Sequence, residues 1–310
     1  MNRKWPQFWL LCLIWGSSFL FIRIGVEQVP PLQLVFIRTL IAAIGLNAVL
    51  WWQKKAFPGR GRNLFDITIL GVINTVFPFF LITWGETYIE SSLASILQGT
   101  AALFSLLIAH FNFADERITP RKLLGLIMGF LGVVVLTNRD AGTTENAHSM
   151  FYLLGQLAVV VASLCYAIGG TYSRKVMQQR LEPLQVSTGA MTIAAVTTGI
   201  LTFITPAFGG LAPVDIRQLD LNILLAVLTL GFLNTFVAYL IFYGLLAKLG
   251  AARTSMITYV IPVVGLILGV VFLGEKLEYK LILGTIMIVG SIAVVNLKLE
   301  RFFKRSKISS

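Results

Sequence analysis

Arg38 is the one charge in LQLVFIRTLIAAIGLNAVL, residues 32–50, a stretch of bilayer-crossing length. A guanidinium left unpaired at that depth costs about 3 kcal/mol or more, so it must snorkel, pair or serve a ligand. At about 1.5 Å per residue, Arg38 lies roughly 10 Å below Pro31 and about 24 Å above Lys54, nearer one face but not at it. Its chemistry is that of a carboxylate clamp: for cargo, or for Glu86 in TWGETY or Glu27 as a gate. Glu86, near the outer end of the third apolar run, is the acid best placed for proton coupling through a buried carboxylate. A plain surface carboxylate is the competing reading, and uniport or exchange fits as well as proton antiport.

Asn74 and Asn234 carry amides that hydrocarbon cannot satisfy, so both should face the interior, lining a polar site or bonding neighbouring backbone. Pro78 frees a carbonyl one turn back, near Asn74. Gln98 and Thr258 sit near the middle of two runs, within stripes of small and polar residues. One stripe is Ser91, Ser95, Gln98, Ala102, Ser105 and Ala109; the other is Ala251, Ser255, Thr258, Pro262, Gly265 and Gly269. Such stripes either pack helices closely or line a path. Trp15, Trp84, Tyr166, Tyr239, Tyr243 and Tyr259 are aromatics with polar tips toward the middle or outer part of their spans. Trp5, Trp51 and Trp52 suit the interfacial belt instead. Aromatic walls with a few polar anchors suit a mid-sized organic solute, with core packing the alternative for each ring.

These residues need a frame, and the composition supplies one. The chain has 310 residues, 56% hydrophobic and 13% charged, with a mean hydropathy of +0.82. A soluble chain would carry about twice that share of charge, so this is an all-α polytopic membrane protein. Spanning runs fall at 7–27, 32–52, 66–86, 91–112, 121–138, 150–173, 185–206, 221–247, 252–273 and 278–298, ten in all. The first reads as a retained helix, not a cleaved signal. With the N-terminus inside, inner segments hold 19 of the 25 Lys and Arg and outer segments five. Both termini are therefore expected in the cytoplasm, in a cell (inner or plasma) membrane. The basic tail, 299–310, is a topogenic signal or rests on anionic lipid. The net charge of +11 is explained by these loops, and no nucleic-acid module is present. Cys12 and Cys165 lie in apolar runs and read as small core side chains.

The halves repeat. Pro31-Leu32-Gln33 recurs as Pro183-Leu184-Gln185, Gly71 with Asn74-Thr75 as Gly231 with Asn234-Thr235, and Trp84-Gly85 as Tyr243-Gly244. FADERITPRKLLG at 113–125 aligns with FLGEKLEYKLILG at 272–284, matching Glu116 to Glu275 and Gly125 to Gly284. The expected units are 1–146 with helices 1–5 and 147–298 with helices 6–10. Five is odd, so the second unit enters from the opposite side. Inverted five-helix repeats are a transporter architecture with alternating access, though channels and membrane enzymes also use them. Arg38 aligns with Ala190, so the fold is duplicated and the charge is not.

WGSSFLFIRIGVEQVPPLQLVFIRTLIAA at 15–43 resembles the opening of an EamA-type member of the drug/metabolite transporter superfamily. That opening has Trp-Gly in helix 1, Pro before helix 2 and an Arg within helix 2. FLGEKLEYKLILGTIMIVG at 272–290 is similar to the family's close, and the likeness spans about residues 8–298. It implies ten helices, both termini inside, and movement of small metabolites, often outward, with amino acids and related compounds as usual cargo. It also makes the helix 2 Arg a shared feature, which favours a structural or gating pair for Arg38. The chain departs from even symmetry at Pro262, which has Leu103 at the equivalent place.

Rival functions find less support. His110 and His148 have no metal-ligating partners nearby in sequence, paired acidic motifs are absent, and there is no P-loop. A receptor or scaffold would not require the repeat, and for a channel no filter-like loop is visible. The expectation is a secondary carrier without cofactor, acting as a monomer on a small-molecule substrate in membrane lipid, with a proton or counter-substrate as the coupling partner.

Overall fold

The computed structural model describes residues 5–112, 117–137, 146–249, 254 and 256–296. Ten helices order these residues: α1 Trp5–Gly25, α2 Pro31–Trp52, α3 Gly61–Gly85, α4 Ser91–Asn112 and α5 Pro120–Thr137. The second set is α6 Asn146–Gln179, α7 Pro183–Ile204, α8 Leu221–Leu246, α9 Ile257–Leu273 and α10 Tyr279–Asn296. Eight are long and apolar enough to cross a bilayer, and α9 and α10 are shorter apolar helices. Glu116, Ala251, Ser255 and the basic tail fall outside the described residues.

Proline sets several starts, since its missing N–H is no loss in a first turn. Pro31, Pro120 and Pro183 each open a helix. At α7 a capping box adds to this, Glu182 accepting from the backbone while the Gln185 side chain accepts from the Glu182 N–H. Gly274, at φ +66°, closes α9 in the left-handed conformation that favours glycine.

Two boundaries differ from the sequence expectation. The α3 helix begins at Gly61 rather than 66, and α6 spans 34 residues rather than 150–173. Both extensions are polar turns that continue a helix past its apolar run, where hydropathy carries no signal.

Packing is mostly between halves. The α2 helix packs on α7, α4 on α9 and α5 on α10, while α1 contacts α8 and α9, and α6 contacts α3 and α4. Contacts of α2 with α8 are matched by those of α3 with α7. Exchanging each helix of the first five for its counterpart in the second leaves this set unchanged, as a two-fold related pair of units requires. Small residues let the backbones approach. A Cβ on Gly125 would stand 3.0 Å from the Ser291 carbonyl, and one on Gly132 3.3 Å from the Gly284 carbonyl. Ser95 and Gly265 meet in the same way between α4 and α9, as do Ser92 and Gly269, so Ser95, Gly265 and Gly269 of the two stripes are packing residues.

Gly125→Val should therefore force α5 from α10 and destabilise the fold by about 1–3 kcal/mol. Thermal unfolding of the purified variant in detergent checks this; an unchanged transition would contradict the close contact.

Candidate functional site

The helices α3 and α8 each contain one π-helical stretch, Val72–Val76 and Phe232–Val237. A π turn widens the helix and disturbs the regular backbone ladder, and such turns gather at functional sites. Gly71 and Gly231 precede the two stretches, and Asn74-Thr75 and Asn234-Thr235 lie within them, so the repeat marks the same distortion twice. The Thr235 hydroxyl donates to the Leu230 carbonyl five residues back at 2.8 Å, satisfying backbone inside the widened turn. In α3, Pro78 follows two residues after the stretch and supplies no N–H to the next turn.

The two asparagines face the interior but bond differently. Asn234 is buried, and its Nδ2 donates to the Ile14 carbonyl and, at 2.9 Å, to Ser17 Oγ of α1, while its Oδ1 has no partner among the described residues. Asn74 is half-buried and its side chain covers Gly169 of α6. Each asparagine thus meets the helix related to the other's partner, α1 or α6.

Arg38 crosses from α2 between these distorted helices. It is 7% exposed, its Nε donates to Thr235 Oγ1 at 2.8 Å, and its guanidinium carbon lies 3.9 Å from the centre of the Phe79 ring in α3. It does not snorkel. Nor does it pair with Glu86 or Glu27: no carboxylate of the described residues lies within 4 Å of it. Held over Phe79, the guanidinium is about 10 Å along the α3 axis from Glu86, seven residues on. Glu27 is exposed. The ion pair expected from the sequence is therefore absent from this conformation.

Aromatic rings lie close to the cation. Tyr166 of α6 and Tyr239 of α8 pack on the same buried cluster as Phe79. Trp15 of α1 meets Tyr239 edge-on with centroids 6.2 Å apart, and Tyr239 meets Tyr243 at 6.0 Å. All four rings are half-buried, and Trp15, Tyr166 and Tyr239 pack against buried clusters of the bundle. The structure thus gathers Trp15, Arg38, Tyr166, Tyr239 and Tyr243, with Asn234 one residue from the threonine that holds the arginine.

The remaining candidates lie elsewhere. Trp84 stacks edge-on with Tyr88 at 5.0 Å and lines a separate 290 Å³ crevice with Pro30, Gln33, Phe80 and Thr202. Gln98 ends the first segment of α4, which is interrupted at Gly99, and Ser163 of α6 reaches the Leu97 and Gln98 carbonyls at 3.4 Å. Thr258 and Tyr259 are half-buried in the first turn of α9. Glu86 is fully buried, and both its carboxyl oxygens lack partners among the described residues; its main-chain oxygen accepts from Arg23 at 2.5 Å. His110, one of two histidines, accepts the Ile118 N–H at 3.1 Å and ties down the connection after α4.

Two acids escaped sequence reasoning as functional groups. Asp66 is 1% exposed in α3 and accepts from Tyr172 of α6 at 2.6 Å and from Arg62 at 3.1 Å, with Arg180 at 3.8 Å. Its signal was the Arg62–Asp66 spacing of four, hidden because the apolar run begins at Asp66. Glu275, in the α9–α10 connection, accepts the N–H groups of Ser91 and Ser92 at 2.8 and 2.9 Å. A carboxylate there satisfies orphan donors and the helix dipole, so the second half caps α4 of the first. Calling the face where α1 starts terminal and the other distal, this clasp lies on the distal face. Gln33 joins Val214 there by two reciprocal bonds of 2.7 and 2.8 Å. On the terminal face Lys55 pairs with Glu182.

The family model described as the EamA-like transporter family matches residues 7–138 and again 153–297. An "Uncharacterized transporter" of Archaeoglobus fulgidus is 28% identical over 295 residues, covering 94% of this chain and 98% of its own. A "Probable amino-acid metabolite efflux pump" of Salmonella typhimurium is 26% identical over 289 residues, 92% of each chain. A solved chain described only as "Crystal structure of protein" shares the fold at a TM-score of 0.69 and 20% identity, covering 97% of this chain and 99% of that one.

The unequal bonding of the two asparagines predicts unequal costs. Asn234→Ala should lose about 1–2 kcal/mol of stability with its two bonds to α1, and Asn74→Ala less. Parallel thermal unfolding of the two variants checks the order, and the reverse order would contradict it.

Proposed function

The chain belongs to the EamA-like transporter family, and we propose that it is a secondary carrier exporting amino acids or related small metabolites by alternating access. The observation that carries the reading is the pair of π turns at matched places in α3 and α8, with Arg38 and the aromatic rings between them. Substrate sites of inverted-repeat carriers lie where the repeats meet, on helices whose regularity is broken. The name of the Salmonella typhimurium relative supports both an amino-acid-like cargo and an outward direction.

The units 1–146 and 147–298 are the proposed halves, and their cross-packing makes rocking of one against the other the natural motion. In this conformation the distal face is clasped by Glu275 on α4 and by Gln33 on Val214. With both termini cytoplasmic, as the Lys and Arg distribution favours, that clasp is the outer gate. Glu86 lies beside the clasp, near Glu275 and Arg23, and is the carboxylate available to carry a coupling proton.

Liposomes holding the purified chain and loaded with a panel of amino acids test the function. At least one member should leave several-fold faster than from protein-free liposomes; equal rates for all would contradict it. Glu275→Ala strips both acceptors from α4 and should slow exchange several-fold in a folded chain, whereas a wild-type rate would remove the gate. If Glu86 carries the proton, Glu86→Gln keeps exchange but no longer responds to an imposed pH gradient. A retained response would assign coupling elsewhere.

A further inference from the structure

Arg38 is a buried charge that the protein holds without neutralising. Thr235 takes its Nε and Phe79 packs on its face, and neither contact uses the two Nη groups. Those groups have no hydrogen-bond acceptor and no ion-pair partner among the described residues. A buried cation left in this state is costly unless something arrives to pair with it. A guanidinium gripped by Nε and by one face presents its Nη1–Nη2 end, the edge that receives a carboxylate through two parallel bonds. The half-buried rings of Tyr166 and Tyr239 pack on the same buried cluster as Phe79, and Trp15 meets Tyr239 edge-on, so aromatic surface lies close to the arginine. The matching position in α7 is Ala190, buried and neutral, so the duplicated frame carries this charge on one side only.

We propose that Arg38 is the carboxylate anchor of the cargo site: a solute carrying one carboxylate and an apolar or aromatic body binds with its carboxylate on Nη1 and Nη2 and its body against the rings. This rests on the carrier reading and narrows it. Thr235 is the positioning residue, because its hydroxyl fixes which edge of the guanidinium is free.

Matched probes that differ only at the acid group test the anchor: L-phenylalanine with L-phenylalaninamide, and hydrocinnamate with hydrocinnamide. Binding to the purified chain is read by tryptophan fluorescence and by thermal stabilisation, and movement by counterflow in liposomes. The wild-type chain should bind each carboxylate at least about tenfold tighter than its amide, the loss expected for a charge-assisted bond. Arg38→Gln should erase that preference while leaving amide binding in place. Arg38→Lys keeps the charge but not the fork and should lose several-fold on the carboxylates alone, which decides the matter if Arg38→Gln does not fold. Thr235→Ala should weaken the preference in the same direction. No carboxylate binding by the wild-type chain, no preference over the amides, or a preference that survives in Arg38→Gln or is untouched in Arg38→Lys, would overturn the anchor. Arg38-dependent binding without counterflow would uphold the anchor and overturn the carrier reading. Counterflow with equal rates for acids and amides would do the reverse.

Discussion

Hydrocarbon offers no hydrogen bonds, so every backbone polar group in the spans must be satisfied by the chain itself. That constraint makes the protein all helix where it crosses, and it makes each departure from a regular helix informative. The structure departs in α3, α8 and α4, and in two of them a neighbouring hydroxyl serves the disturbed backbone. Thr235 bonds the Leu230 carbonyl across the π turn of α8, and Ser163 reaches the carbonyls before the break at Gly99 in α4. A distortion retained at both repeat-related places, in α3 and α8, has a use in common, and those two helices flank Arg38, the one buried arginine among the described residues.

The inverted arrangement explains why the site is held by both halves. Arg38 comes from the first half and its Thr235 partner from the second, while Asn234 of the second is bonded to α1 of the first. Relative movement of the halves must therefore alter the surroundings of the cation. The clasp made by Glu275 crosses the same divide. The proposed site and gate are both built from contacts between the repeats, with the close α5–α10 packing among the contacts that join them.

Much of the fold was legible because bilayer thickness sets helix length and proline marks helix starts: Pro31, Pro120 and Pro183 stand where their helices begin. The Gly71 and Gly231 matches were visible as a repeat, but a π turn has no composition of its own, so their conformation was not. Arg38 announced itself by its surroundings in sequence. Its partner did not, because a hydroxyl 197 residues away leaves no local signal, and two acids in the apolar segments, Glu86 and Glu27, drew the assignment. Glu275 was legible as a repeat marker, and its capping role emerged only once α4 stood 184 residues back beside it. Asp66 was lost because the apolar run was started on it, although Arg62 one turn earlier carried the spacing of an ion pair.

The central claim is that Tyr166, Tyr239 and Trp15 line the path that the two halves expose in turn. A cysteine in place of Tyr239, in a chain whose Cys12 and Cys165 have been replaced, tests it most directly when probed with a membrane-impermeant thiol reagent from either side of sealed liposomes. Alternating access predicts that Tyr239→Cys is modified from both sides during turnover, and that modification stops counterflow of the loaded solute. Modification from neither side, or full counterflow after complete modification, would contradict it.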